Sequence, residues 1–172
     1  MARVTPPRLL STVDDREPFD CGRPSLNNWF VQHAWRNQQS GVSRTSVVCD
    51  AQTDRVVGFV SLSAAQVERA WLAKPPQRHQ PDPIPVTLLG QLAVDLRDQG
   101  QGHARSLLGF ALRTARIASR SIGSFGVITH PLDTGLRDFY RRSGFQDLPF
   151  DRGGAMIIRM KDLAISGFAE AK

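Results

Sequence analysis

The chain has 172 residues, enough for one domain with a buried core; 41% of them are hydrophobic and 22% charged, as in ordinary globular proteins. No apolar run approaches the ~20 residues of a membrane helix, the N-terminus lacks the apolar segment of a signal peptide, and two cysteines cannot form a disulfide framework. We therefore expect a cytoplasmic protein without membrane association, and the net charge of +6 favours an anionic partner.

The N-terminal third predicts a strand, a helix and a hairpin. A short first strand is expected at 9–11, followed by one helix over 25–39 that Gly41 ends. Two runs rich in β-branched residues, 45–49 and 56–62, are joined by a polar turn and predict a β-hairpin.

The rest of the chain alternates strands and helices. The proline-rich stretch 74–85 predicts a loop, and the near-continuous apolar run 86–96 predicts a central strand buried on both faces. Four further elements are predicted: an amphipathic helix over 102–120, a strand at 125–129, a helix over 134–142 and a last strand at 155–160. This order predicts an α/β or mixed α+β protein whose mixed sheet carries helices on both faces.

The turn between the central strand and the long helix is a candidate anion site. It reads Gln99-Gly100-Gln101-Gly102-His103-Ala104. The first N–H groups of a helix have no intrahelical partners, and glycines let a ligand approach the backbone, so we expect a pyrophosphate here. A P-loop would end in Gly-Lys-Ser/Thr and a dinucleotide fingerprint would need a third glycine, so neither fits. A turn that uses its glycines for geometry alone remains the alternative.

A second informative segment, 138–145, holds the only tyrosine of the chain, Tyr140. In this order and spacing, the two segments resemble the GNAT superfamily of acyl-CoA N-acyltransferases. The phosphate loop of that family reads Gln/Arg-x-x-Gly-x-Gly/Ala, and the family commonly has Phe-Tyr and Gly-Phe pairs where Phe139-Tyr140 and Gly144-Phe145 stand. The resemblance implies one GNAT domain over 1–172, with its core at about 8–163 and a mostly antiparallel central sheet.

The resemblance also implies acetyl-CoA as cofactor and a role for each matched residue. Tyr140 is the implied catalytic acid, which protonates the departing thiolate; a packing role at the edge of the core is the alternative. His103 is expected to serve local packing more than catalysis. The implied acetyl-CoA contacts are Leu92, Ala93, Val94, Gln99, Gly100, Gln101, Gly102, His103 and Ala104.

Within this family, the first 65 residues resemble the acetyltransferase toxins of bacterial type II toxin–antitoxin systems. The matching features include Phe19-Asp20-Cys21-Gly22, Trp29-Phe30 and the run 57–64. This resemblance implies acetylation of the α-amine of aminoacyl-tRNA, a block of translation and a ribbon-helix-helix antitoxin as partner. An α-amine titrates near 7.7–8.0, so the reaction needs no strong general base.

Several alternatives stay open at this point. Arg137, Arg141 and Arg142 are candidate tRNA contacts, but they equally fit an ordinary solvated face. The acceptor is alternatively a protein N-terminus or a small amine, or the chain is a catalytically silent GNAT-like binding module. Homodimer formation and a catalytic contribution from Asp95 or His130 are also open, and no metal-ligand spacing is present.

Overall fold

The computed structural model describes residues 3–163. Within these residues, seven strands and six α-helices follow one another as β1 Arg8–Leu9, α1 Pro24–Gln32, α2 Ala34–Ser40, β2 Arg44–Cys49, β3 Val56–Val67, α3 Lys74–Gln77, β4 Ile84–Val94, α4 His103–Ala118, β5 Gly126–Thr129, α5 Thr134–Arg142, β6 Gln146–Asp147, β7 Met156–Arg159 and α6 Met160–Leu163. Short 3₁₀ turns lie at Arg69–Trp71 and Leu96–Asp98.

The strands form one seven-stranded sheet in the order β1-β2-β3-β4-β5-β7-β6. β1–β2, β2–β3, β5–β7 and β6–β7 are antiparallel, whereas β4 and β5 are parallel and are connected through α4. A parallel pair needs such a crossover, because the chain must return to the same end of the sheet before the second strand begins. The predicted fold class, a mixed and mostly antiparallel sheet with helices, is confirmed.

The chain divides into two compact units that interleave along the sequence. The first consists of Met1–Ser63 and Gly90–Ala111, and the second of Ala64–Leu89 and Leu112–Lys172. A single domain over 1–172 therefore stays a prediction.

Aromatic packing organises the first unit. The Phe30 and Phe59 rings stack with centroids 4.1 Å apart, and Phe19 meets both edge-on at 5.1 and 5.2 Å. Such ring pairs stabilise a core beyond the area they bury. Ala93, near the end of β4, belongs to the same buried cluster, so this core supports the segment that leads into the predicted phosphate loop.

The second unit has an aliphatic core built on the parallel and antiparallel neighbours of β5. Ile84, Val86, Ile128 and Ile157 are all buried there. Gly126 is required by close strand approach, because a Cβ at this position would lie 2.5 Å from the carbonyl oxygen of Ile158. This close approach accompanies the antiparallel pairing of β5 with β7, in which Gly126 lies opposite Arg159.

Several predicted elements differ from the structure, among them the strand predicted at 56–62, which extends to Val67. The single helix over 25–39 is two helices, because a turn at His33 (φ −120°, ψ −30°) separates α1 from α2; Gly41 does end α2, with φ 81°. β4 begins at Ile84 and ends at Val94, and its buried residues are interspersed with half-buried and exposed ones, so the strand is not buried on both faces along its length. The proline-rich loop contains the short helix α3, and β6 was missed because two exposed residues carry no pattern.

None of the helices in residues 3–163 is long and apolar enough to cross a bilayer.

Candidate active site

The predicted phosphate loop is a turn between β4 and α4 with two left-handed glycines. After the 3₁₀ turn Leu96–Asp98, Gly100 adopts φ 78° and Gly102 φ 87°, and α4 begins at His103. This backbone region favours glycine strongly because a Cβ would be strained there. Because Gly100 and Gly102 carry no side chains, a ligand can approach the main-chain N–H groups of the first turn of α4.

The space above this turn is open. A Cβ built at Gly100 or at Gly102 would meet no atom within 4 Å. In the described chain, Gln101 Oε1 and His103 Nε2 are buried atoms without a hydrogen-bond partner. Open space at the N-terminus of α4 fits the pyrophosphate of acetyl-CoA, because the first main-chain N–H groups of a helix attract anions.

The side chain of Gln99 connects the loop to two neighbouring segments by hydrogen bonds. Its Nε2 donates hydrogen bonds to the carbonyl oxygens of Val94 (2.9 Å) and Cys21 (3.1 Å). The side-chain amide therefore ties the loop to the end of β4 and to the segment before α1. The predicted role of Gln99 in cofactor binding stays a prediction.

Two ion pairs fix the turn that precedes the loop. Arg55 donates to both carboxylate oxygens of Asp98 at 2.8 and 3.2 Å, and Arg97 donates to both oxygens of Asp95 at 2.9 and 3.0 Å. Asp95 and Asp98 are 1% and 3% exposed. The Arg55–Asp98 pair was missed by sequence reasoning, since no local pattern links two residues 43 positions apart.

Asp95 is structural and strongly held as a carboxylate. Burial would raise its pKa, but hydrogen bonds from the Arg97 side chain and from the main-chain N–H groups of Arg97 and Asp20 outweigh burial and lower the pKa to about 2. A base with this pKa is a poor proton acceptor at neutral pH. His130, the other open candidate, is exposed just beyond β5.

The predicted pantetheine contacts lie at the end of β4. Ala93 and Val94 have buried side chains, and Leu92 is half-buried. Gly58 permits close approach of β3 here, because a Cβ at Gly58 would lie 3.0 Å from the Ala93 carbonyl oxygen. The predicted roles of these residues concern their main-chain groups, and they stay predictions.

Tyr140 lies near the C-terminal end of α5, within the second unit. The helix is capped by Asp133, whose carboxylate accepts from Leu136 N at 2.8 Å. The Tyr140 ring is 5% exposed and packs edge-on between Phe139 and Phe145, with centroids 5.1 and 5.2 Å away. Contacts with these two phenylalanine rings therefore set the position of the Tyr140 ring.

The environment of the phenol keeps it protonated. Burial raises the pKa of Tyr140 to about 12, and a side-chain hydrogen bond with Thr129 offsets part of this rise. The tyrosine accordingly carries its proton throughout the physiological pH range. A proton-donating role is compatible with this state, and the ring packing alone does not require a hydroxyl.

The three candidate tRNA arginines differ in what they contact. Arg137 donates to Asp147 and to the carbonyl oxygen of Gly154, and Arg141 donates to Asp147 (3.2 Å) and Asp138 (3.1 Å). Arg142 is exposed and has no hydrogen-bond or ion-pair partner within residues 3–163. Only Arg142 is thus fully available to a ligand, whereas Arg137 and Arg141 fasten α5 to β6.

The family model described as "Acetyltransferase (GNAT) family" matches residues 13–145. This range covers most of the chain, including the phosphate loop and Tyr140. The chain belongs to the GNAT acetyltransferase family. As a GNAT acetyltransferase it is an acyltransferase that uses acetyl-CoA, and the features of its loop described above fit that cofactor.

Relatives of this GNAT acetyltransferase are toxins. It is 37% identical over 162 residues to the "tRNA-acetylating toxin" of Mycobacterium tuberculosis, covering 94% of this chain and 96% of that protein. It also resembles the solved structure of AtaT complexed with acetyl-methionyl-tRNAfMet, with a TM-score of 0.87, 28% identity, and coverage of 95% of this chain and 98% of that one.

A further solved structure shows a tyrosine-to-phenylalanine mutant of the AtaT toxin bound to the C-terminus of the antitoxin AtaR and to acetyl-CoA. It matches this GNAT acetyltransferase with a TM-score of 0.79 and 26% identity, over 94% of this chain and 96% of that one. The fold is thus shared with a toxin that binds acetyl-CoA and the C-terminus of an antitoxin.

Proposed function

We propose that this acetyltransferase is a toxin that transfers the acetyl group of acetyl-CoA to the α-amine of aminoacyl-tRNA and so blocks translation. The observation that carries the substrate class is the 37% identity to a tRNA-acetylating toxin along nearly the full length of both chains. The similarity to AtaT complexed with acetyl-methionyl-tRNAfMet supports the same class. Aminoacyl-tRNA is made and used in the cytoplasm, which is the compartment that this function requires.

In this proposal, the loop and the end of β4 hold the cofactor. The N–H groups around Gly100, Gly102 and the start of α4 bind the pyrophosphate, with Gln101, His103 and Ala104 lining it and Gln99 bracing the turn. Main-chain groups of Leu92, Ala93 and Val94 hold the pantetheine and polarise the acetyl carbonyl.

Acetyl-CoA supplies the acetyl group and a thiolate leaving group that needs a proton. Tyr140 holds that proton at its hydroxyl oxygen, because burial keeps the phenol neutral. The free α-amine needs no strong base, since much of it is already neutral near its pKa of 7.7–8.0. The fixed low pKa of Asp95 agrees with a mechanism that lacks a carboxylate base.

Charge supports a nucleic-acid substrate. The net charge of +6 attracts phosphates, and Arg142, two residues after Tyr140, has an exposed side chain with no partner among residues 3–163. Arg137 and Arg141 contribute to the same positive surface, although their hydrogen bonds to Asp147 limit direct contact with a phosphate.

The proposal is tested by acetyl transfer from labelled acetyl-CoA to charged tRNA, to uncharged tRNA and to the corresponding amino-acid amide. Charged tRNA is the expected acceptor, uncharged tRNA is inert, and Tyr140→Phe reduces turnover by about 10²–10⁴-fold while acetyl-CoA affinity barely changes. If the enzyme acetylates the amide or a peptide N-terminus but not charged tRNA, the acceptor is a small amine or a protein N-terminus and not aminoacyl-tRNA. If the turnover of Tyr140→Phe lies within threefold of that of the parent, only the acid role of Tyr140 is wrong.

We also propose a ribbon-helix-helix antitoxin as partner, with an acidic segment that covers the basic surface of this chain. The complex of an AtaT mutant with the C-terminus of AtaR supports an antitoxin tail as the binding element. Association should slow as ionic strength rises, while dissociation changes less, because opposite charges steer the encounter. An association rate that is flat from low to high salt would indicate an apolar interface instead. Whether two copies pair is tested by sedimentation of the free toxin.

A further inference from the structure

The turn 20–22, just before α1, is hydrogen-bonded to the segment that leads into the phosphate loop. The carbonyl oxygen of Asp20 accepts from the Leu96 N–H at 2.8 Å, and the Asp20 N–H donates to a carboxylate oxygen of Asp95 at 3.2 Å. The carbonyl oxygen of the residue after Asp20 accepts from Gln99 Nε2 at 3.1 Å. All of these residues belong to the first unit. The turn before α1 therefore holds the start of the loop at several successive residues.

The side chain of Asn27, on α1, keeps that turn in shape. Its Nδ2 donates to Asp20 Oδ1 at 2.8 Å, and its Oδ1 accepts from the Cys21 N–H at 2.9 Å. Asp20 Oδ1 also accepts from the Gly22 N–H at 2.8 Å. An amide side chain carries both the donor and the acceptor that this arrangement uses. Asn27 thus links α1 to the turn, and the turn is in contact with the loop.

The turn also packs directly against the segment before the loop. Gly22 has φ 84°, and a Cβ built on it would lie 3.1 Å from Cδ2 of Leu96, which leaves little room for a side chain. Leu96 is the same residue whose N–H donates to Asp20. Main-chain and side-chain contacts therefore meet at the residue that opens the 3₁₀ turn before the loop.

We propose that Asn27 is a positioning residue for acetyl-CoA, which through the turn 20–22 holds the phosphate loop in the shape that binds the pyrophosphate. This inference rests on the proposed binding of acetyl-CoA by that loop. A loop that is already held in its binding geometry does not have to be ordered when the ligand arrives, so its affinity is higher. Asn27 contributes through its bonds to Asp20 and Cys21.

The charge of Asp20 strengthens the contact with Asn27. Hydrogen bonds from the Gly22 N–H and from the Asn27 side chain lower the pKa of Asp20, so its carboxylate is ionised at neutral pH. Hydrogen bonds to an ionised acceptor are shorter and stronger than neutral ones. A carboxylate in place of the Asn27 amide would consequently face a like charge where the parent has a donor.

The first measurement is the affinity for acetyl-CoA by calorimetry, without an acceptor. Asn27→Ala should raise Kd about tenfold, which is the order of magnitude of the cost of fixing one backbone residue. Asn28→Ala is the matched control, because Asn28 is the next residue of α1, is exposed, and makes no side-chain hydrogen bond within residues 3–163. Its Kd should equal that of the parent. A folded Asn27→Ala variant with the Kd of Asn28→Ala would overturn the proposal.

A second measurement separates positioning from a general loss of structure. In the free protein, amide exchange at Leu96 should be faster in Asn27→Ala than in Asn28→Ala, while exchange in β3 stays the same in both. The KM for acetyl-CoA should rise about as much as Kd, with kcat at saturating acetyl-CoA within about twofold of the parent. A lower kcat at unchanged KM would mean a smaller folded fraction, and would assign Asn27 to the fold alone.

An exchange of charge tests the contact between Asp20 and Asn27 itself. Asn27→Asp places a second carboxylate where Asp20 now meets a donor, and should weaken acetyl-CoA binding at least as much as Asn27→Ala. Adding Asp20→Asn restores one amide beside one carboxylate, so the double variant should bind more tightly than Asn27→Asp alone. Equal affinities of the single and the double variant would overturn the proposal, and this pair decides it if Asn27→Ala does not fold.

Failure of the proposed cofactor site gives a different result. If folded Gly102→Glu and Asn27→Ala both bind acetyl-CoA like the parent, the loop is not the pyrophosphate site and both proposals are wrong. If only Gly102→Glu loses affinity, the loop binds acetyl-CoA and Asn27 does not position it.

Discussion

Arg55 and Asp98 form a two-pronged ion pair across 43 residues of sequence, with guanidinium nitrogens 2.8 and 3.2 Å from the two carboxylate oxygens. Asp98 is almost fully buried and lies immediately before Gln99, so this pair fixes the turn from which the phosphate loop starts. The same turn is held on its other side by Arg97 and Asp95.

Arg55→Ala should destabilise the fold markedly, because it leaves the Asp98 carboxylate buried without its partner. Removing one partner of a buried pair costs about 3–5 kcal/mol, and the quarter-exposed side chain of Arg55 places the expected loss near the lower limit. Thermal unfolding should shift down by roughly 6–12 °C for a chain of this size. Arg55→Lys keeps the charge and should lose less.

The double variant Arg55→Ala/Asp98→Ala is the informative control for that prediction. It removes the unpaired charge along with its partner, and should therefore recover part of the stability that Arg55→Ala loses. A single-variant loss below about 1 kcal/mol would show that the pair is solvated and does not fix the loop.

Gly102→Glu should abolish tight acetyl-CoA binding. The substitution forces a side chain into a left-handed position with φ 87° and places a negative charge beside the proposed pyrophosphate. We expect at least about a tenfold loss of affinity by calorimetry. Gly123→Glu adds the same charge where a Cβ meets no atom within 4 Å, and Gly102→Ala isolates the backbone strain; both should bind better than Gly102→Glu. Unchanged affinity in folded Gly102→Glu would remove the loop from the site.

Local patterns predicted the parts of the site that local chemistry fixes. The two glycines, the start of α4 and the span of α5 follow from spacing and turn residues within a few positions, and each was predicted within about two residues. The contacts that complete the site are long-range. The Arg55–Asp98 pair and the bond from Thr129 to Leu89 depend on strand register, which no short window of sequence contains.

The arginines of α5 show the same limit. A cluster of like charges in the sequence fitted a phosphate-binding surface and an ordinary solvated face equally well, and neither reading contained the ion pairs of Arg137 and Arg141 with Asp147, outside the helix. The break at His33 is another case. The pattern of apolar residues continues past His33, but α1 ends at Gln32 and a second helix begins at Ala34.

Acid should destabilise this protein through Asp95. The folded pKa of about 2 lies below the ordinary value of 3.8, so the carboxylate stabilises the fold at pH values above about 4, and this contribution is lost as pH falls from about 4 to about 2. A shift of nearly two units corresponds to roughly 2 kcal/mol. Urea unfolding at pH 7, 4 and 2.5 measures the loss. Asp95→Asn should be less stable at pH 7 and flatter between pH 4 and 2.5; equal slopes for parent and variant would assign the acid sensitivity to other groups.

Arg142→Ala and Arg137→Ala should separate tRNA binding from stability. Arg142 is exposed and unpartnered within residues 3–163, so its loss should weaken charged-tRNA binding and reduce the slope of log affinity against log salt by roughly 0.7–0.9, without moving the melting temperature. Arg137 donates to Asp147 and Gly154, so Arg137→Ala should lower the melting temperature instead.

Acetylation of a saturating small amine should survive in Arg142→Ala, because the loop and Tyr140 are unaltered. An unchanged salt slope in Arg142→Ala would place the tRNA contacts on other arginines, and an equal loss with both acceptors would mean that Arg142 acts on the Tyr140 helix.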